Sequence, residues 1–421
     1  MSQALPHHDA STNQTISSNV KPNTLGQRAH SALDNRALVI KKRIASIDIL
    51  RGLVMLLMLV DHVRERFFYH HNVSDPMALD TTSTELFFTR MTAHLCAPVF
   101  VFLTGLSAWL YAHPHNKAPR SASSFLFKRG LFIILVEVTL INFSWFGTYD
   151  ALYLQVMWAI GVSMLVLSAM LLVTAKRNIN YWLIGALGIL IVCGHNALGF
   201  VHFTPDETGY TLWSILHDRG WLINEGAIKI KASYPVLPWI GVIFVGYFAG
   251  PIYAGSVSSS QRQKVLVLGG LGSLGLLLVL RGLNIYGETL PWQSGETLAD
   301  GLKSFVNFTK YPPSLDYILL TLGIAWLFLC ALEKVDNNLS KVIERFGSAP
   351  MFFYIVHLYV LLILYRVLFA LYGANQGDVF GVERVWQVWA IAGLLALALY
   401  YPTRAFSKFK KRTSMPWVKY F

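Results

Sequence analysis

Charge is scarce in this sequence. Asp, Glu, Lys and Arg make up 14% of its 421 residues, whereas a soluble domain carries about 25%. Apolar residues reach 54%, and runs of about 20 of them recur along the chain. Together these exclude a soluble core and mark a polytopic membrane protein. Cysteine is also scarce. Cys96, Cys193 and Cys330 all lie in apolar runs without CxxC spacing, so neither a disulfide framework nor a cysteine zinc site follows. His70-His71 have no further ligand at metal spacing, and no metal site is expected. Walker, GxSxG and HExxH motifs are missing. The run Gly269-Gly-Leu-Gly-Ser-Leu-Gly275 lacks a preceding strand, so it reads as helix packing rather than a dinucleotide loop. No tandem repeat or heptad pattern is present. Residues 1–44 have no apolar h-region, which argues against a cleavable signal peptide. Their Ser, Asn, His and Gln content predicts a disordered cytoplasmic tail.

Ten apolar stretches are present, at about 46–66, 86–111, 126–146, 150–174, 180–200, 235–254, 264–281, 315–333, 348–372 and 384–402. The predicted fold is an all-α polytopic membrane bundle of about ten spans over 45–403, followed by a basic tail at 404–421. The positive-inside rule orients it. Lys117, Arg120, Lys176, Arg177, Arg262, Lys334, Lys341 and Arg345 fall in alternate loops, and the basic tail joins them if both termini are cytoplasmic. The net charge of +12 is then a matter of topology, with no need for a nucleic-acid partner. The other loops, 67–85, 201–234 and 282–314, are long and carry aromatic residues. They are candidates for facing a substrate as well as the membrane interface.

The first span is ionisable where a membrane helix should be apolar. It reads Ser46-Ile-Asp-Ile-Leu-Arg-Gly-Leu-Val-Met-Leu-Leu-Met-Leu-Val-Asp-His-Val-Arg64. At about 100° per residue, Asp48, Arg51 and His62 share a face roughly 60° wide, with Asp61 flanking it. Arg51 and His62 lie about 16 Å apart along the axis. Ionisable groups in a bilayer cost about 2.5–3.5 kcal/mol each, and so face a protein interior or an aqueous path. His62 is therefore a candidate nucleophile or general base, and Arg51 a candidate holder of phosphate or carboxylate. The alternative is an interfacial Asp48–Arg51 pair and a plain helix end at Asp61-His62.

Three further stretches carry chemistry. Arg90, His94 and Pro98 fall at i, i+4 and i+8 on the second span. His94 should reach the depth of His62, as a relay partner or as a donor to a carbonyl freed by Pro98. Lys310, in Asn307-Phe-Thr-Lys-Tyr-Pro-Pro-Ser314, is either an anion holder or a snorkelling lysine. His357 lies mid-span in Phe352-Phe-Tyr-Ile-Val-His-Leu-Tyr359, as a substrate contact or a packing histidine. Pro235-Val-Leu-Pro-Trp239-Ile-Gly241 reads as a helix start, with Trp239 counted among the candidate substrate contacts.

These pieces resemble a known family. Arg51-Gly52 followed by His62, and Phe353-Tyr-Ile-Val-His357, are similar to segments of the acyltransferase-3 type of membrane acyltransferases. More closely, six segments resemble the bacterial relatives of heparan-α-glucosaminide N-acetyltransferase. They are Ser46–Gly52, Asp61–Arg64, Thr92–Gly105, Val236–Gly241, Thr309–Ser314 and Phe346–Tyr359. The resemblance implies a bacterial inner-membrane enzyme. It would move an acyl group, with acetyl-CoA as cytoplasmic donor, to an amine or hydroxyl of a glycan on the outer side. Within that reaction the catalytic candidates are His62, favoured by its spacing and depth, then His94, with Asp61 beside them, and the candidate substrate contacts are Arg51, Asp48, Arg90, Lys310, His357 and Trp239. In the lysosomal enzyme the catalytic histidine lies between the first two helices, where this chain has only His70 and His71. A homo-oligomer stays open. A transporter or flippase for an anionic or amphiphilic solute is the competing reading. It calls for two similar halves, which the sequence does not show.

Overall fold

The computed structural model describes residues 24–115, 117–177 and 180–421, and for 24–44 and Lys419 the backbone alone. Of the expected disordered tail, residues 1–23 lie outside the described residues; from Thr24 the backbone is helical. Residues Arg43–Phe421 form one compact unit, to which everything below refers.

The chain is mostly helical. In order, the elements are α1 (Thr24–Phe67), α2 (Thr84–Thr92), α3 (Cys96–Ala112), α4 (Ser123–Val136), α5 (Asn142–Phe146), β1 (Ala151–Leu154), α6 (Val156–Lys176), α7 (Trp182–Gly194), α8 (Tyr210–Leu216), β2 (Gly220–Ile223), β3 (Lys229–Ala232), α9 (Leu237–Ala249), α10 (Ser259–Gly282), α11 (Leu298–Phe305), α12 (Leu315–Leu332), α13 (Asn338–Ser348), α14 (Pro350–Tyr372) and α15 (Val385–Arg412). Six helical segments are long and apolar enough to cross a membrane: Thr84–Ala112, Val156–Lys176, Ser259–Gly282, Leu315–Leu332, Pro350–Tyr372 and Val385–Arg412. Trp182–Leu198 and Leu237–Tyr253 are shorter apolar helices. The first expected span lies within α1, and the third is shared between α4 and α5.

Local chemistry sets many of the boundaries. Ser258 and Asn337 form capping boxes with Gln261 and Ser340 at the starts of α10 and α13. Ser314 Oγ accepts from Tyr317 N at 3.0 Å and starts α12. Such caps each contribute about 1 kcal/mol.

Three details depart from the expected pattern. The stretch at 150–174 opens with a strand, and its helix starts at Val156. β1 pairs parallel with β3, which pairs antiparallel with β2, giving a small sheet. The basic stretch expected as a tail from 404 instead continues α15 to Arg412. Beyond it, Pro416–Tyr420 forms a 3-10 turn. Phe421 then packs at 5.3 Å from Phe132 of α4 and 5.9 Å from Phe406 of α15.

The core is centred on α3 and α9, where Phe102, Leu103, Trp239, Val242 and Ile243 are buried. Glycine makes the closest helix contacts possible. A Cβ on Gly105 would lie 2.1 Å from Ile243 O, and one on Gly246 would lie 2.1 Å from Phe102 O. α1 meets α13 in the same way: a Cβ on Gly52 would lie 2.0 Å from Ile343 O, and one on Gly347 would lie 1.8 Å from Asp48 O. In the glycine run of α10, Gly270 packs on α12 while Gly272 and Gly275 face open space.

Candidate functional site

A cavity of about 910 Å³ runs beside α1. Arg51 lines one end of it, and Asp61, His62, Arg64 and Glu65 line the other. Arg51 and Arg64 are thirteen residues apart, a rise of about 20 Å. Between the ends the wall is apolar, with Met55 and Met58 from α1, Ile133 from α4, and Met157 and Ile160 from α6.

The Arg51 end is strongly cationic. Arg51 Nη1 donates to Asp48 Oδ1 at 2.6 Å and to Gly347 O at 3.2 Å, while Nη2 donates to Ser107 Oγ at 3.2 Å. The Arg-Gly pair thus has a structural reason: bare Gly52 lets α13 approach until the Gly347 carbonyl reaches the guanidinium of the preceding residue. Arg129 of α4 and Lys410 of α15 line the same end with Ser107 and Ser348. The Arg129 Nε is buried and has no hydrogen-bond partner among the described residues. Among the described residues, Asp48 is the one carboxylate salt-bridged to any of these three cations.

At the other end, His62 Nδ1 lies 2.7 Å from His357 Nε2. The two rings lie edge to edge, their centroids 5.0 Å apart and their planes 9° from parallel. His357 Nδ1 lies 2.7 Å from Phe353 O. Trp145 and Tyr354 meet the His62 ring edge-on, at 5.1 Å and 5.8 Å. Trp145 is held from behind by Arg66, which donates to Ser144 O at 2.9 Å and to Trp145 O at 2.8 Å. These are C-terminal carbonyls of α5, which follows a π turn at Glu137–Ile141. An arginine there satisfies groups the helix leaves free.

Asp61 does not bond His62. It accepts from Arg64 Nε at 2.9 Å, and Arg90 Nη1 stands 3.6 Å from its other oxygen. All three side chains are buried. Lys310 also lines this end, with Tyr311, Tyr234, Asp75 and Arg219. Asp75 accepts from Lys310 N at 3.1 Å and Tyr311 N at 2.8 Å, fixing the segment that carries the lysine. Burial lifts the Asp75 carboxyl above its usual pKa, while Arg90, Lys310 and the two N–H groups draw it back. Lys310 Nζ lies over the Tyr311 ring at 5.2 Å. Among the described residues no carboxylate forms an ion pair with it.

The structure gathers Arg51, Asp61, His62, Arg90 and Lys310 around one cavity, and departs from expectation at four residues. His94 does not line it. Ala93, Ala97, Phe100, Thr104 and Ser107 do, and His94 turns its ring edge-on to Tyr317 at 5.1 Å. The lining residues follow one helical face from Arg90 through Ala93, Ala97 and Phe100, and His94 stands about 100° round from Ala93; the 3-10 turn at Ala93–Leu95 turns it slightly further. His357 lies behind His62 and is no cavity contact. Trp239 is fully buried, 6.0 Å from Tyr234, and Asp48 acts through Arg51. The sequence reading missed Arg129 and Lys410. Both stand in basic clusters that topology already explains, and only their convergence on Arg51 distinguishes them. No metal cluster occurs among the described residues.

Residues 43–280 match the family model for heparan-alpha-glucosaminide N-acetyltransferase, catalytic. The chain belongs to this family. Among curated proteins, none matches it. The matched N-acetyltransferase segment holds Arg51, Asp61, His62, Arg64, Arg90 and Arg129. Lys310 and Lys410 come from the remainder of the chain and complete the same end walls, and His357, also from the remainder, stands behind His62. Family membership and the membrane-length helices together describe an integral-membrane transferase.

Proposed function

We propose that the protein transfers an acetyl group from acetyl-CoA, held at the Arg51 end of the cavity, to an amine or hydroxyl of a saccharide at the Lys310 end. One observation carries this reading: a single cavity joins a cation-rich end to an end built around a buried histidine. Arg51, Arg129 and Lys410 fit the phosphates of CoA, because three cations converge there with one paired carboxylate and a guanidinium N–H left over. The roughly 16 Å between Arg51 and His62 suits the length of a pantetheine arm. Acetyl-CoA supplies the acyl group as an activated thioester. His62 serves as base on the acceptor. Arg64, Arg90 and Lys310 hold acceptor oxygens, and Tyr234, Tyr311 and Trp145 give faces against which a sugar ring packs.

In the proposed topology all ten apolar stretches span a bacterial inner membrane with both termini cytoplasmic. The Arg51 end then meets the cytoplasm and the Lys310 end the outer side. The alternating basic loops support that orientation.

Purified protein given acetyl-CoA and amino-sugar acceptors should form acetylated product, and the His62→Ala protein should not. Full activity in that variant would remove the assignment. Acetyl-CoA should raise the thermal stability of the wild type, and Arg51→Ala should lose most of that response.

A further inference from the structure

The hydrogen bonds behind His62 determine where its protons sit. Phe353 O can only accept, so His357 Nδ1 carries the hydrogen in their 2.7 Å contact. A neutral imidazole has one N–H, so His357 Nε2 is left as an acceptor. The atom 2.7 Å from it is His62 Nδ1, which must donate. His62 Nε2 then holds the lone pair, and no group among the described residues bonds it. Among the same residues no carboxylate bonds either ring, and an unpaired buried imidazolium is costly, so both rings rest neutral. His62 lines the cavity and His357 does not.

We propose that His357 is a positioning residue that locks His62 in the Nδ1–H tautomer and leaves the Nε2 lone pair available to the cavity. This deepens the acetyl-transfer reading and rests on it. As the acceptor nitrogen or oxygen bonds to the acyl carbon, His62 Nε2 takes its proton; as the C–S bond breaks, His62 returns that proton to the leaving thiolate. The pair gains no net proton over the cycle. While Nε2 is protonated, no proton needs to pass on to His357: the Nδ1–H keeps its bond to the neutral His357 Nε2, and the positive charge stays on the His62 ring. A carboxylate in place of His357 would also orient the ring, but it would bring a buried negative charge. The neutral acceptor orients without that charge, and its own direction is set by a backbone carbonyl one helical turn away on α14.

The test uses the full-length protein in detergent or nanodiscs with 15N-labelled histidine. His62 signals are assigned by subtracting the spectrum of His62→Gln. The wild type is expected to show a protonated Nδ1 and a bare Nε2 on His62. His357→Phe, which keeps the ring volume and removes the acceptor, is expected to show mixed tautomers and a kcat about 100-fold lower, with the KM for acetyl-CoA unchanged. His357→Gln, whose amide can donate to Phe353 O and accept from His62, should restore the tautomer and most of kcat. Hydrogen on His62 Nε2 in the resting wild type, or an unchanged tautomer in a folded His357→Phe, would overturn the proposal. The spectra need no substrate. A wild type that shows the tautomer but acetylates nothing would refute the transfer reading and with it the base role of His62, whereas an active enzyme with the wrong tautomer would refute the role of His357 alone.

Discussion

The two ends of the cavity use charge differently. At the Arg51 end, cations from α1, α4 and α15 converge with Asp48 as the paired carboxylate, and the Arg129 Nε has no hydrogen-bond partner among the described residues. At the His62 end, Asp61 stands between Arg64 and Arg90, and Asp75 fixes the backbone of Lys310. An uncompensated cluster gains most from an incoming anion. A compensated network gains less, and its role is to hold groups in place. The contrast supports the proposed division of binding to one end and chemistry to the other.

The largest effect should come from His62. His62→Ala should lower kcat by about 1,000-fold, within the usual range for a lost general base, while acetyl-CoA still stabilises the protein in a melting assay. Loss of that stabilisation would show that the two ends are not separate. Next is Asp61→Asn, which leaves two buried guanidinium groups facing a neutral amide. It should cost about 3 kcal/mol of stability, read as a lower denaturation midpoint without ligand. An unchanged midpoint would mean that the compensated end is not a structural network. Arg51→Ala and Arg129→Ala should each weaken acetyl-CoA binding about 10–50-fold, as expected for a lost charged hydrogen bond worth about 1.5–2.3 kcal/mol, with kcat changed much less. A fall in kcat at unchanged affinity would reverse the assignment of the ends. The smallest effect is expected at His94: His94→Gln should leave kcat within about twofold, since its ring faces Tyr317 rather than the cavity. A loss comparable with that of His62→Ala would place His94 in the reaction and break the separation between cavity wall and interior at that end.

What could be read from the sequence follows the range of the interactions involved. Arg51 and His62 are legible because α1 is one regular helix, so an eleven-residue spacing translates into position. His94 shares a face with Arg90 and Pro98 by spacing, but the cavity meets the neighbouring face through Ala93, Ala97 and Phe100, a choice that depends on how the helix is rotated in the bundle. His357 can be singled out as a buried polar group in an apolar helix, but its pairing with His62 joins residues 295 positions apart, beyond any periodicity. Arg129 and Lys410 are hidden by a sound explanation, because basic residues near helix ends are what topology demands. The sheet escapes notice because strands of four residues are too short for alternation to show.

The contact of α1 with α13 has a mechanical consequence. With no side chain between Gly52 and the α13 backbone, the position of α13 bears directly on the guanidinium of Arg51. The bond from Arg51 Nη1 to Gly347 O is 3.2 Å long, already at the upper edge of useful geometry. A displacement of α13 by a fraction of an ångström would sever it and leave Asp48 and Ser107 to steer the side chain. The position of α13 along α1 therefore sets how the Arg51 side chain is held.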